Sequence, residues 1–168
     1  MVDRIMNEEQ RDIVDLAKGI LEKELVPQLE ECDKTSRFPT DVFQSLFKAG
    51  LYAVEVPEEY GGLGMNFLLN ETLGYYDTGF AFSFHAGSMS ADSIFIGGTE
   101  EQKRWASEQL LAGKVFAFCL TEPAAGSDAG AITTTAKRDG DEYIINGNKM
   151  FITNGSIAGV YLVVATLD

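Results

Sequence analysis

Histidine and cysteine are scarce in this chain, and its charge is one-sided. There is a single histidine, His85, and only two cysteines, Cys32 and Cys119, far apart in sequence. One histidine leaves little room for a histidine-rich metal centre, and the two cysteines fit no metal-ligand spacing, so no metal site is expected. So few cysteines point to a reducing compartment. Lys and Arg total 13 against 26 Asp and Glu, a net charge of −13. Sequence-independent nucleic-acid binding needs Lys and Arg against phosphates, and this balance argues against it. No apolar run reaches about 18 residues, so no membrane-spanning helix is expected. The opening "MVDRIMNEEQ" is acidic and lacks an apolar centre, unlike a secretion signal or a transit peptide. The expected location is cytoplasmic.

What is present changes texture near residue 113. Before it, the apolar spacing is helical. Asn7 followed by Gln10 reads as a capping box, with Ile13, Leu16, Ala17, Ile20 and Leu21 recurring behind it. Pro27 should kink or end that helix. A second helix is expected from Thr40, carrying Val42, Phe43, Leu46 and Phe47 and stopping at Gly50. "VPEEYGGLG" reads as a loop, because proline and three glycines oppose a regular element. Helical spacing resumes around Phe67, Leu68, Glu71 and Tyr75. The stretch Phe80 to Ile96 is apolar on most sides and predicts a central, buried helix. Thr99 with Gln102 repeats the capping box, opening a helix that Gly113 should close.

After Gly113 the period becomes two. "KVFAFCLT" and the threonine-rich "AITTTAKR" are strand candidates. "DGDE" reads as a hairpin turn into "YIIN", and "NG" at Asn146 and Gly147 as another turn, followed by "NKMFIT". "VYLVVATL" is a last apolar strand. The chain therefore reads as α+β: an all-helical N-terminal domain, then an antiparallel β domain. Of the −13 net charge, −11 falls on residues 1–113, so the acidic excess is a solvated face of the helical part. The final strand runs to Asp168 without a cap or a return turn. An apolar edge strand invites aggregation, so the β domain is expected to be truncated, or covered in an assembly.

Four segments stand in order: "VPEEYGGLG", "GTEEQKRWASEQLLAGK", "FCLTEPAAGSD" and "YIINGNKMFITNG". Together they closely resemble the acyl-CoA dehydrogenase family, flavoenzymes that oxidise the Cα–Cβ bond of acyl-CoA thioesters. The resemblance covers essentially the whole chain. It implies residues 1–113 as the family's helical N-terminal domain and residues 114–168 as the first part of its β-barrel middle domain. The four-helix bundle that follows in the family has no counterpart here. The catalytic glutamate, which lies in that bundle or nearby, is therefore not expected in this chain, and the resemblance gives Glu122 a structural place in a loop.

The same resemblance implies FAD as cofactor and an acyl-CoA as substrate. It also implies an electron-transferring flavoprotein as electron acceptor and a homo-oligomer, tetrameric at full length. Its cofactor residues would be Phe118, Leu120, Thr121, Ser127, Phe151 and Thr153. A flat isoalloxazine ring needs an apolar platform and a few donors at fixed positions, which a strand such as Phe118-Cys119-Leu120 can provide. Thr121 would reach the ring's pyrimidine edge, and Ser127 a phosphate or the pantetheine chain of the substrate. Phe151 would stack near the flavin, and Thr153 would bond around N5, where hydride arrives. Phe151 stands where the family often has Trp, and Phe118 where Tyr is frequent; stacking is kept, while one N–H and one hydroxyl are lost. His85 is expected to be structural or pocket-lining. Two other readings share these features: a non-catalytic flavin- or acyl-CoA-binding scaffold, and an acyl-CoA oxidase of the same superfamily.

Overall fold

The computed structural model describes residues 6–63 and 66–167. Its first helix, α1 (Glu8–Ile20), opens on the anticipated capping box. The Asn7 side chain accepts from the Gln10 amide, and the Gln10 side chain accepts from the Asn7 amide. The helix does not run on to Pro27. It loosens into a π turn at Leu21–Leu25, and Pro27 sits in the following 3-10 turn, Val26–Gln28. There its missing N–H costs nothing, and the path continues as α2 (Leu29–Thr35). Next come α3 (Thr40–Lys48), α4 (Asn66–Tyr76), α5 (Thr78–Gly97) and α6 (Glu100–Leu111). The loop before α4 holds two 3-10 turns, Leu51–Glu55 and Glu58–Tyr60; Gly64 of "VPEEYGGLG" lies outside the described residues. Thr99 and Gln102 cap α6 reciprocally, and Gly113, at φ +82°, turns the chain away from it.

The helices close on an aromatic centre. Phe43 meets Phe84 at 5.4 Å between ring centroids, Tyr52 meets Phe84 at 4.8 Å, and Phe47 meets Tyr52 at 4.3 Å. Such offset and edge-on pairs add to the burial of the rings themselves. Val42, Leu46, Leu69, Leu73 and Leu110 complete the buried cluster. Phe116, from the first strand, belongs to the same cluster, so the β part is anchored in the helical core.

The strands are β1 (Phe116–Cys119), β2 (Thr135–Asp139), β3 (Glu142–Asn146), β4 (Val160–Val163) and β5 (Thr166–Leu167). The hairpin at "DGDE" forms as expected: β2 and β3 pair antiparallel, with Asp139 opposite Glu142. The other two pairings correct the expected strand sense. β1 pairs with β4 in parallel, Phe116 opposite Val160, and β2 pairs with β5 in parallel, Thr135 opposite Thr166. Antiparallel neighbours follow from tight turns, but each of these pairs joins segments separated by a long connection, which returns the chain in its original direction. "VYLVVATL" is accordingly split, β4 serving one sheet and β5 the other. The stretch after Gly147 forms no strand until Val160, because Phe151 and Asn154 adopt left-handed backbone, at φ +56° and +64°.

A second correction concerns α5. Phe80, Phe84, Gly87, Ser88 and Ala91 face the core, but Phe82 is 55% exposed and Met89 41%. One flank of this helix is uncovered by the described residues, so its all-round apolar character is not matched by all-round burial. On the covered side, a Cβ at Gly87 would overlap the Tyr52 hydroxyl, which is itself buried with no hydrogen-bond partner among the described residues. Gly87→Ala should destabilise the fold by about 1–3 kcal/mol through overpacking. Tyr52→Phe removes an unsatisfied buried hydroxyl and should stabilise by on the order of 1 kcal/mol. Urea unfolding of both single variants and the double variant checks the coupling: Gly87→Ala should cost markedly less in the Tyr52→Phe background.

Candidate functional site

β1 leaves the core at Leu120, and the chain turns through small residues. Glu122 and Ala125 close this turn with two backbone bonds, Glu122 N to Ala125 O at 2.9 Å and Ala125 N to Glu122 O at 3.2 Å. Ala125 and Glu122 are buried, whereas Pro123, Ala124, Gly126, Ser127 and Asp128 are exposed. The turn thus presents a surface of small side chains and open backbone.

Glu122 is the fastener. It is 4% exposed. One carboxylate oxygen accepts from Lys149 Nζ at 2.7 Å and from the Thr134 amide at 2.9 Å. The other accepts from the Thr133 amide at 2.7 Å and the Thr133 hydroxyl at 2.8 Å. Lys149 Nζ also donates to Leu120 O at 2.9 Å. Lys149 first, then these other donors, hold the Glu122 carboxyl far below the ordinary carboxylate range. One buried acid therefore ties together the end of β1, the approach to β2 and the segment that begins at Lys149.

That segment is the second wall. Met150 N donates to Thr121 O at 2.9 Å, which sets residues 150–153 beside the end of β1. Asn154 Nδ2 donates to Ser83 O on α5 at 2.7 Å and to Phe116 O on β1 at 3.4 Å, pinning the far end. Between these fixed points Phe151 stands 83% exposed at positive φ. Left-handed backbone costs a side-chain-bearing residue roughly 1–2 kcal/mol. Phe118, Leu120, Thr121 and Thr153 are half-buried.

Of the residues expected to hold a flavin, Thr121 is tied to Met150 and Leu120 to the Lys149 side chain, so the segment carrying Phe151 and Thr153 starts against the end of β1, with Phe118 one position inside that strand. Ser127 lies on the exposed turn, away from these bonds. Among the described residues, no protein group hydrogen-bonds the hydroxyls of Thr121, Ser127 or Thr153, so each is available to a ligand. An exposed aromatic ring, an apolar strand end and free hydroxyls match the needs of a flat, polar-edged cofactor.

Lys149 and Asn154 were not among the residues singled out from sequence. Lys149 had a legible signal, being the only charged residue between Glu142 and Asp168. Asn154 had a weaker one: Asn tolerates positive φ, and it precedes a glycine.

The Glu122 tether has a pH signature. Its folded-state acidity is raised, so the stability it contributes is present above the ordinary value of 4.5 and is lost as pH falls through the depressed pKa. Glu122→Gln should melt at a lower temperature than the parent at neutral pH, and the gap should narrow as pH falls below about 4.5. Melting curves from neutral to strongly acid pH read this directly.

Residues 7–114 match the acyl-CoA dehydrogenase N-terminal domain, and residues 117–168 match the acyl-CoA dehydrogenase middle domain. A curated relative, the probable acyl-CoA dehydrogenase YngJ of Bacillus subtilis, is 37% identical over 95% of this chain and 44% of its own length. A chain from the structure of the electron transferring flavoprotein of Acidaminococcus fermentans superposes with a TM-score of 0.87 at 40% identity, covering 97% of this chain and 44% of that one. Glutaryl-CoA dehydrogenase from Mycobacterium smegmatis, in complex with FADH2, superposes with a TM-score of 0.84 at 32% identity, covering 99% of this chain and 44% of that one. The chain thus spans less than half the length of the curated relatives it matches. No helix among the described residues is long and apolar enough to cross a membrane. The chain belongs to the acyl-CoA dehydrogenase family.

Proposed function

We propose that this chain is the flavin- and thioester-facing part of an acyl-CoA dehydrogenase, with residues 1–113 as its helical domain and 114–168 as the first part of its β domain. The observation that carries the reading is Phe151, an exposed ring at a costly backbone angle, on a loop locked to the end of β1 at Thr121 and to α5 at Ser83. Strain maintained by surrounding bonds marks a place where the side chain's position matters more than its local comfort.

In this reading Phe118 and Leu120 form the apolar platform and Phe151 stacks near the ring. Thr121 hydrogen-bonds the pyrimidine edge. Ser127, on the exposed turn, bonds a phosphate or the pantetheine chain. Thr153 donates toward N5. When bound, FAD supplies the acceptor for the β-hydride at N5; positioning it is the protein's main contribution. The α-proton needs a base, and Glu122 is unsuited, because its two oxygens are filled and its acidity is raised. By family resemblance the base is supplied by a glutamate from the bundle that follows in the family or from nearby. Electrons leave to an electron-transferring flavoprotein, and the full-length enzyme is a homo-oligomer, tetrameric by family resemblance. A cytoplasmic location is supported by Cys32 and Cys119, both unpaired and buried.

Two measurements test this. The pure 168-residue chain should not dehydrogenate any acyl-CoA with an artificial acceptor, since a positioned general base is typically worth about 10² to 10⁴-fold; turnover would show that the base is already present. In the full-length enzyme, Thr153→Val keeps shape and removes one donor aimed at developing charge. Flavin content should hold, while anaerobic stopped-flow reduction by acyl-CoA should slow about 10-fold, the scale of one lost hydrogen bond. An unchanged rate with full flavin content would make Thr153 an ordinary structural residue.

A further inference from the structure

The uncovered flank of α5 carries a built polar site. At 100° per residue, Phe82, His85 and Met89 share one stripe of this helix. Phe82 and Met89 are exposed, and the His85 side chain is 40% exposed between them. Ser83, which accepts from Asn154 and so carries the Phe151–Thr153 loop, lies on the neighbouring side of the stripe. Glu55 and Asn70 close its other side. Their side chains meet at 3.0 Å, Asn70 Nδ2 to Glu55 Oε1, and Asn70 Nδ2 lies 3.3 Å from His85 Nδ1.

Glu55 is buried, and its Oε2 makes no hydrogen bond within the described residues. That oxygen faces His85 Nδ1 at 3.8 Å. A buried carboxylate oxygen left this way is costly unless a cation stands opposite. Ser88 Oγ, which donates to His85 O at 2.8 Å, lies 2.9 Å from His85 Nδ1. Nδ1 is thus enclosed by Glu55, Asn70 and Ser88, and Nε2 is the ring nitrogen with no protein partner among the described residues.

We propose that His85 is a specificity-determining residue of the thioester site, oriented by Glu55 and Ser88, and that the α5 stripe takes acyl groups carrying a hydroxyl or carbonyl oxygen away from the thioester in preference to plain alkyl chains. This rests on the acyl-CoA dehydrogenase reading. The apolar rings of Phe82 and the thioether of Met89 hold the hydrocarbon part, and Nε2 meets the oxygen. The charged groups that face His85 are Glu55, from the turn before α4, and Asp92, on α5 itself. These two carboxylates outweigh one imidazolium, so a terminal carboxylate is repelled overall. The nearby Glu55 carboxylate, first, and then Asp92 hold the His85 pKa above its ordinary value. Below that pKa the imidazolium donates from Nε2 with a full charge behind it, which suits a carbonyl or hydroxyl oxygen and strengthens the bond.

The test uses the full-length flavoenzyme and equal-length thioesters: a plain alkanoyl-CoA, its oxo counterpart and its hydroxy counterpart. The ratio of kcat/KM for the oxo substrate over the plain one should fall about 10-fold in His85→Leu. In the parent that ratio should fall as pH rises through the His85 pKa, because the charge-assisted hydrogen bond is lost. His85→Gln, whose amide nitrogen stands near the position of Nε2, should keep the oxo preference and lose its pH dependence. The His85 titration is identified in the NMR spectrum as the signal missing from His85→Leu, and Glu55→Gln should move it down. Equal substrate ratios in the parent and His85→Leu, at full flavin content in both, would overturn the proposal. Failure of all three thioesters to reduce the bound flavin would overturn the dehydrogenase reading itself, and the proposal with it.

Discussion

The bonds around Glu122 decide whether this chain has a site at all. Three stretches distant in sequence have to meet: the exit of β1, the approach to β2 and the loop that begins at Lys149. None of them has the bulk to be held by packing, since the turn between Leu120 and Asp128 is made almost wholly of small residues. A buried carboxylate with several directed donors does what a hydrophobic contact cannot. It fixes orientation as well as proximity, because each hydrogen bond weakens steeply off its axis. The ammonium of Lys149 makes the burial tolerable, and its second bond, to Leu120 O, ties the pair to the main chain.

The helical half was legible because its signals are local. A capping box needs residues only three positions apart, and both boxes form as read. The stops at Gly50 and Gly113 depend on single left-handed positions that glycine adopts at little cost. The errors arose where distance matters. Alternating polarity marks a strand but says nothing of its neighbour, so the parallel partners of β1 and β2 were invisible in "KVFAFCLT" and "AITTTAKR". Pro27 is expected to kink or end the first helix, whereas the winding has already changed at Leu21, six residues earlier. The uncovered flank of α5 was hidden for another reason: apolar residues look alike whether they are covered or awaiting a ligand.

The site was legible in part. "FCLTEPAAGSD" and "MFITN" pointed to two walls, and the bonds Met150–Thr121 and Lys149–Leu120 set those segments side by side. Spacing could not show what aims them. Phe151 stands out only once its backbone angle is known, and Asn154 only once its amide is seen bridging a helix and a strand. Glu55, an acid within the apolar run "LYAVEVP", has no role in the sequence reading, yet it lies buried against the single histidine of this chain.

The parallel pairing of β1 with β4 also governs the order in which the chain can be assembled. Phe116 finds its place in the helical core using only residues that precede it, but its partner across the sheet is Val160. Synthesis runs from the N-terminus, and a long-range parallel pair forms late because a large loop must close first. Through that interval β1 rests on α5 with the edge that receives β4 still bare. The helical core is thus the template on which the β part is laid down, and damage to the packing around Phe84 and Gly87 would reach the cofactor wall by way of a strand left waiting on the nascent chain.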